Sequence, residues 1–225
     1  MPSELDHVFI CTACGANAEA DSLAAFGLTE GAPNVHPGQG TACRRFFFHN
    51  AYLELLWVEN SDEAQSGPAR PMRLWERWTG RTDQACPFGL GFRPKANEAE
   101  SPPFAAWLYR PAYLAESQNI PVATNSEVVS EPFLFYMPFV QRPDRRSYLN
   151  RRQPVEHPAG FREVSRVEVI LPNVLRISPE LQSVREPRLV EISEGAKHLL
   201  ILCFDGESQR KEADFRPVLP LVFRW

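Results

Sequence analysis

Apolar strand starts recur along the chain at a nearly constant spacing, and this feature limits the possible folds most. "LDHVFICT" begins at Leu5, "CPFGLGFRP" at Cys86 and "VSRVEVILPN" at Val164, roughly 80 residues apart in each case. A short helix and several further strands follow the first start, which is a βαβββ pattern. We therefore expect an α+β fold of tandem βαβββ modules with buried sheets and an additional β-rich C-terminal unit.

Three units follow from these starts. Residues 1–82 are assigned to the first module plus a linker helix, which is predicted over 70–80 because Met72, Trp75 and Trp78 share one helical face. Residues 83–145 are assigned to the second module. Residues 160–225 form the β-rich C-terminal unit, read as an incomplete third module.

The second unit carries an interrupted helix in this interpretation. "PPFAAWLYRPAYLAE" (102–116) is predicted to be helical with a break at Pro111. "IPVAT" and "EPFLFYMPFV" are predicted strands, and the second is apolar on both faces and therefore buried. The basic, proline-rich stretch 141–160 is predicted to be a long surface loop.

Composition and charge exclude several classes of protein. The net charge is −4, and no Lys/Arg block exceeds two residues in a row, so we expect no nucleic-acid partner. The longest apolar runs, such as 133–140, are too short to cross a bilayer, so no membrane partner is expected. No targeting signal is visible, and five cysteines favour reduced thiols, so we expect a cytoplasmic protein. "CTAC" (11–14) is interpreted as strand-end residues rather than a redox or zinc pair.

Three motifs of the first module resemble a known family. "LDHVFI", "HPGQGT" and "YLELLWV" are similar to segments of the vicinal oxygen chelate superfamily, and within it to the glyoxalase-like group. The resemblance implies paired βαβββ modules around a cavity and a bound divalent ion, with zinc, nickel, manganese or iron as the candidates. It implies metal ligands at His7 and Glu54, with Glu54 serving as ligand or as the catalytic base.

The chain departs from the family pattern in its second module. "CPFGLGFR" has Phe88 and Gly89 where the third ligand is expected, and "PFLFYMPF" offers no ligand for the fourth position. A catalytic metal site usually has three protein ligands, so one more must come from elsewhere. His36, His49 and Glu168 are the candidates.

Alternation along the strands leaves two interpretations for the main residues. His7 is expected to share a face with Leu5 and Phe9, either as a site residue or as a hydrogen-bonded core histidine. Glu54 shares a face with Tyr52, and this face is either exposed to water or turned into the pocket. A buried carboxylate would require a metal, a cation or a proton as partner.

The loop and nearby arginines are candidates for substrate binding. "HPGQGT" matches no phosphate-binding motif, so it is either a tight surface turn or a loop that brings His36 and Gln39 to the cavity mouth. Arg44 and Arg45 alternate, so only one can face inward and offer a fork to a carboxylate; Arg44 is assigned to the substrate. Arg93 is assigned there too, with a core or rim position as the alternative.

Two functions from different classes follow. The first is a metal-assisted lyase or isomerase acting on a small oxygen-rich substrate. The second is a metal-free protein of the same fold that binds or sequesters a small molecule. The partner is therefore a small molecule in both cases, and a homodimer is compatible with either.

Overall fold

Two sheets organise the chain, and the structure, a computed structural model, describes residues 3–95, 101–146, 153–185 and 190–225. The first sheet has eight strands and the second has five. The strands of the first sheet are β1 (Ser3–Cys11), β2 (Asn34–His36), β3 (Thr41–Phe47), β4 (Tyr52–Val58), β5 (Phe88–Pro94), β6 (Ala106–Tyr109), β7 (Ile120–Ala123) and β8 (Phe133–Tyr136). Those of the second sheet are β9 (Val164–Leu171), β10 (Val190–Glu194), β11 (Leu199–Phe204), β12 (Glu212–Asp214) and β13 (Leu221–Arg224).

Helices are few and short. They are α1 (Asn17–Phe26), α2 (Ser61–Ala64), α3 (Leu74–Thr79) and α4 (Pro179–Ser183), with 3-10 turns at Gly67–Met72, Thr124–Glu127, Pro143–Arg145 and Asp205–Glu207. The predicted helix over 70–80 is split between a 3-10 turn and α3, because Arg73 adopts a left-handed conformation at φ 56°. None of the helices in the described ranges has the length and apolar character that a bilayer span requires.

The first sheet consists of two halves whose strands follow the same order from the centre outward. Its order is β2-β3-β4-β1-β5-β8-β7-β6. In each half the first strand pairs in parallel with the last, β1 with β4 and β5 with β8, and the halves join where β1 and β5 run antiparallel. This is the arrangement expected for two glyoxalase-like modules, so the predicted α+β fold is confirmed. The residue boundaries of the units stay a prediction.

The predicted helix over 102–116 is wrong. Residues 106–109 form β6, which pairs antiparallel with β7, and no helix occurs in the described residues between β5 and β6. Prolines at 102, 103 and 111 remove backbone donors and restrict the chain, whereas Trp107 and Tyr109 suit a strand. In the predicted loop at 141–160 the described residues contain only the 3-10 turn, and 147–152 lie outside the described residues.

The second sheet repeats the pairing pattern at the centre of the first. Its order is β10-β9-β11-β13-β12, with β9 parallel to β10, β9 antiparallel to β11, and β11 parallel to β13. The β-rich C-terminal unit is therefore built like two shortened modules side by side. Its last strand, β13, is short and spans only Leu221–Arg224.

The main hydrophobic core lies between the two sheets, with α1 in the same layer. It combines the outer face of the first sheet with the inner face of the second. Phe161 stacks on Phe204 with ring centroids 4.3 Å apart, and Trp225 packs edge-on against Phe161 at 5.1 Å. Because this core uses one face of the first sheet only, the other face is free to line a cavity.

Candidate functional site

A cavity of about 650 Å³ lies on the face of the first sheet that points away from the main core. Its lining comes from β1, β2, β3, β4 and β8, from the loop after β2, from residues 72–74, and from the segments 109–122 and 137–146. Polar and apolar groups are both present, as is usual for small-molecule sites. The predicted site residues His7, His36, Gln39 and Glu54 all line it.

Glu54 lies inside this cavity and not on a wet strand face. All seven residues of β4 are buried, because the strand is central and covered on both faces. Glu54 is 5% exposed, and its neighbours across the sheet are Phe9 on β1 and Arg45 on β3. The exposed-face interpretation of Glu54 is therefore wrong.

A β-bulge brings Asp6 against His7. The β1–β5 register shifts between Leu5 and His7, which leaves Asp6 as an extra residue. Leu5 consequently faces the main core, while His7 faces the cavity, so the expectation that Leu5 and His7 share a face is wrong. The bulge places Asp6 Oδ2 at 2.7 Å from His7 Nδ1.

Two arginines stabilise the charge of Asp6. Arg93 and Arg146 each donate to Asp6 Oδ1, at 2.9 and 2.8 Å. Burial by itself would raise the pKa of Asp6, but the hydrogen bond and charge of His7, together with both guanidinium groups, outweigh it and lower the pKa to about 2. Asp6 is therefore a fixed acceptor for the imidazole.

The other nitrogen of His7 faces Glu54. His7 Nε2 lies 3.7 Å from Glu54 Oε2, which is too far for a direct hydrogen bond. The imidazole stacks on Tyr52 at 4.2 Å between ring centroids and meets the edge of Phe135 at 4.9 Å. These contacts fix the ring, so the Nε2 edge of His7 and the carboxylate of Glu54 lie side by side, where one substrate can contact both.

His36 is held by a chain of hydrogen bonds. Its Nδ1 lies 2.9 Å from Thr41 Oγ1, and its Nε2 lies 2.9 Å from the Asn34 amide. Gln39 Nε2 donates to Thr41 Oγ1 at 2.8 Å, and the Tyr113 hydroxyl donates to Gln39 Oε1 at 2.9 Å. Burial lowers the pKa of His36, and the nearby charge of Glu54 opposes this only in part.

The loop that carries Gln39 depends on Gly40. This residue has φ +73°, and a Cβ there would lie 2.3 Å from the carbonyl oxygen of Asn60. Only glycine combines that conformation with such a close backbone contact. The loop is thus fixed against the segment after β4, and His36 and Gln39 both line the cavity. Their role in substrate binding stays a prediction.

The structure places Arg45 on the cavity side, not Arg44. Arg44 projects from the opposite face of β3 and forms a two-bond ion pair with Glu30. Arg45 lines the cavity and donates to the carbonyl oxygens of Ala32 and Pro33. Arg93 does not line the cavity either; it is 1% exposed and lies behind Asp6. The substrate contacts predicted for Arg44 and Arg93 therefore do not fit their positions.

Strands β5 and β8 of the second module present an apolar wall. The β5 residues paired with His7 and Phe9 are Gly91 and Gly89, and the β8 residues that line the cavity are Phe133 and Phe135. A Cβ at position 89 would lie 2.0 Å from the ring of Phe9, so the aromatic packing requires this glycine. As expected from the sequence, neither β5 nor β8, both fully described, brings a metal-ligating side chain to the cavity.

Three residues of the site were missed by the sequence reasoning. Arg146 lies in a loop far along the chain, and Asp6 is placed by a bulge that alternation does not reveal. Cys43 shares a strand face with Arg45, so alternation links these two residues but does not reveal that their face lines the cavity. It is fully buried, and burial together with the charge of Glu54 raises the pKa of its thiol.

Cys43 forms a possible metal-ligand group with two cavity residues. One donor atom each from His36, Cys43 and Glu54 can be chosen so that all lie within 4.8 Å of one another. The other two candidates for a third ligand lie elsewhere. His49 contacts Glu156 near the surface, and Glu168 contacts Ser193 and Arg224 on the second sheet.

Comparison with known proteins identifies the first part of the chain. A family model described as a glyoxalase-like domain matches residues 5–114, which run from β1 through β6. The chain carries a glyoxalase-like domain. The predicted resemblance to the vicinal oxygen chelate superfamily is thereby confirmed for this region, and the matched range contains His7, His36, Cys43 and Glu54. A search of curated proteins gives no significant match.

One solved structure shares the fold over the whole chain, and a second shows a weaker similarity. A hypothetical protein from Staphylococcus aureus, known from a crystal structure, matches 100% of this chain and 99% of its own, with 13% identity and a TM-score of 0.56. A fusion of a xylose isomerase-like TIM barrel with a 4-hydroxyphenylpyruvate dioxygenase matches 89% of this chain and 36% of its own, with 10% identity and a TM-score of 0.46. At these identities the first similarity shows the fold alone.

Proposed function

We propose that this glyoxalase-like protein is an enzyme that moves a proton on a small oxygen-rich substrate, in a reaction of the isomerase or lyase type. The observation that carries the proposal is the position of His7. Its Nδ1 is bonded to Asp6 at 2.7 Å, and its Nε2 faces Glu54 at 3.7 Å inside a buried cavity. A held histidine opposite a carboxylate is a common arrangement for general acid–base catalysis.

Each residue of the pair has a defined role. His7 Nε2 takes a proton from the substrate and returns it, while Asp6 keeps Nδ1–H in place and stabilises the imidazolium that forms. Glu54 lies beside His7 and contacts the neighbouring substrate atom, where it accepts or returns the second proton. The stacked Tyr52 ring and Phe135 keep the imidazole from turning away. Both proton-transferring groups are therefore positioned before the substrate binds.

The cavity suits a small substrate with an apolar part. Phe9, Phe133 and Phe135 offer a flat apolar surface for a carbon framework. Arg45 supplies a positive charge for a carboxylate or a polarised oxygen. A 2-oxo or 2-hydroxy carbonyl compound carries both features and an acidic C–H bond.

The family implies a divalent ion, and the predicted set of zinc, nickel, manganese or iron stays a prediction. Strands β5 and β8 of the second module, both fully described, offer no ligand to the cavity, so the ion would be held by the first module, where His7, His36, Cys43 and Glu54 supply donors. Such an ion would polarise a substrate oxygen. The nitrogen, sulfur and oxygen donors fit a transition metal better than magnesium or calcium.

A metal-free binding protein is the second candidate function. The apolar wall formed by the second module favours it, because that module carries no ligand at the family positions. Such a protein would hold the same substrate class without changing it.

Hydrogen exchange separates the two functions. Glycolaldehyde, dihydroxyacetone, pyruvate and phenylpyruvate are tested for binding by calorimetry, and each compound that binds is incubated with the protein in D₂O. The enzyme incorporates deuterium beside the carbonyl, and His7→Asn abolishes this, whereas His49→Asn, which changes a histidine outside the cavity, does not. Binding without exchange, or a panel in which no compound binds, contradicts the proposal. Exchange that persists in His7→Asn contradicts the role of His7.

A further inference from the structure

Glu54 is a buried carboxylate that has no close arginine or lysine partner among the described residues, and the nearest side-chain nitrogen that can carry a positive charge is His7 Nε2 at 3.7 Å. It is 5% exposed, and in the described part of the chain no lysine or arginine forms an ion pair with it. Arg45, its neighbour across the strands, donates instead to backbone carbonyls. A buried charge without an arginine or lysine partner is costly, and a cation bound beside Glu54 would offset that cost.

The possible metal-ligand atoms around Glu54 come from three neighbouring strands, the β3–β4 hairpin and the edge strand β2. His36 is on β2, Cys43 on β3 and Glu54 on β4, which are neighbours in the sheet. Their exposed fractions are 9%, 0% and 5%. His36 and Glu54 line the cavity, while Cys43 lies behind them. Three rigid strands therefore bring a nitrogen, a sulfur and an oxygen donor to one point of the cavity wall.

The surroundings of His36 resemble those of a metal-binding histidine. Such histidines usually donate their second ring N–H to a fixed oxygen acceptor, which orients the ring. His36 Nδ1 lies against Thr41 Oγ1, and Gln39 and Tyr113 hold that hydroxyl in turn. The opposite nitrogen, Nε2, contacts only the Asn34 amide among the described residues, and a small rotation of that side chain would release it.

We propose that His36 Nε2, Cys43 Sγ and one oxygen of Glu54 bind a divalent ion of the zinc class, with the remaining coordination position open to the cavity. Three protein ligands and one open position are typical of catalytic zinc sites, and a thiolate selects zinc, iron or cobalt over magnesium and calcium. The site differs from the His7–Glu54 pair that the family resemblance implies, and it leaves His7 available for proton transfer. The metal site rests on the proposed function only because both use the same cavity and Glu54.

Cobalt reports directly on the sulfur ligand. Tag-free protein is stripped of metal, shown to be folded by circular dichroism, and titrated with Co²⁺ and then with Zn²⁺. We expect one ion per chain and a near-ultraviolet thiolate-to-cobalt charge-transfer band that Zn²⁺ removes. Cys43→Ser should lose the band and weaken zinc affinity by at least about 100-fold, more than the ~10- to 100-fold typical of losing an outer-shell partner. His36→Asn should weaken it similarly.

Two further variants locate the ion. Cys86→Ser, which changes a buried cysteine outside the cavity, should keep the band and the affinity, and so should His7→Asn. Two results would place the ion at the family position and overturn the inference. The first is cobalt binding without a thiolate band. The second is cobalt binding that is lost in His7→Asn but kept in Cys43→Ser. Absence of binding in the wild type overturns it as well. A His7→Asn protein that keeps the ion but also keeps deuterium exchange contradicts the proposed function and leaves the metal site standing.

Discussion

His7 and Asp6 are adjacent in a β-strand, yet their side chains touch, with Nδ1 and Oδ2 2.7 Å apart. Successive side chains of a regular strand point to opposite faces and cannot meet in this way. The bulge at Asp6 removes that separation, and Arg93 and Arg146 complete a buried set of charges around the carboxylate. The orientation of the central histidine thus depends on one extra residue in β1.

Asp6→Asn should destabilise the protein and reduce its sensitivity to acid. The pKa of Asp6 is lowered from 3.8 to about 2 in the folded state, so its stabilisation is present above pH 3.8 and is lost as the pH falls toward 2. The shift corresponds to about 2 kcal/mol at neutral pH, and the loss of the charged partner shared by Arg93 and Arg146 adds to it. Urea denaturation at a series of pH values measures both effects.

The control for this variant is Asp214→Asn. The pKa of Asp214 is also lowered to about 2, but through hydrogen bonds from Arg216 at an exposed position. Solvent screens exposed pairs, so its removal should change the free energy of unfolding far less. Equal losses in the two variants would contradict the importance of burial at Asp6.

Gly91→Ala should destabilise the protein by about 1–3 kcal/mol, because overpacking forces neighbours out of place. A Cβ at this position would lie 2.6 Å from Phe135 Cζ and 3.1 Å from His7 Cε1. In a Phe135→Leu background the ring is gone, and the additional cost of the alanine should fall below about 1 kcal/mol. A double-mutant cycle by urea denaturation tests this, and purely additive effects would argue against the contact.

Arg45 and Arg44 should differ in ligand binding. Arg45→Gln is expected to weaken phenylpyruvate binding by about tenfold, since a charged hydrogen bond to the carboxylate is lost. Arg44→Gln removes a partly exposed pair with Glu30 on the far face of β3 and should leave the affinity unchanged. Calorimetric titration compares the two variants; a larger effect at Arg44 would restore the assignment made from the sequence.

Glu131→Gln should loosen the contact between the first sheet and α4. Glu131 is 5% exposed and accepts hydrogen bonds from the backbone N–H of Ser178 at 2.7 Å, from its hydroxyl at 2.6 Å and from Asn125 at 2.8 Å. An amide would turn a donor toward these donors, at a cost of about 1–3 kcal/mol. Urea denaturation measures the loss.

Glu127→Gln is the matched control at the same end of the sheet. Glu127 is exposed and forms a long 3.5 Å pair with Arg73, which is worth less than about 1 kcal/mol. If both substitutions lower the free energy of unfolding equally, the buried hydrogen bonds of Glu131 do not stabilise this contact.

The sequence was sufficient for the fold class but only partly sufficient for the site. The spacing of Leu5, Cys86 and Val164 predicts the modules because each module repeats its buried first strand. The prediction of a helix near Trp107 is wrong because apolar content alone does not distinguish a short strand from a helix. The inward arginine and Cys43 depend on the register of β3 against β4, which a single sequence does not fix.

The unequal contribution of the two modules to the cavity has a stereochemical consequence. His7, His36 and Glu54 belong to the first module, whereas Phe133 and Phe135 of the second module are purely aromatic. A planar enediolate held in this cavity would meet proton donors on one of its faces and hydrocarbon on the other. Protonation of a prochiral carbon from one face gives a single enantiomer. The unequal halves of the sheet would therefore make the product chiral and enantiomerically pure.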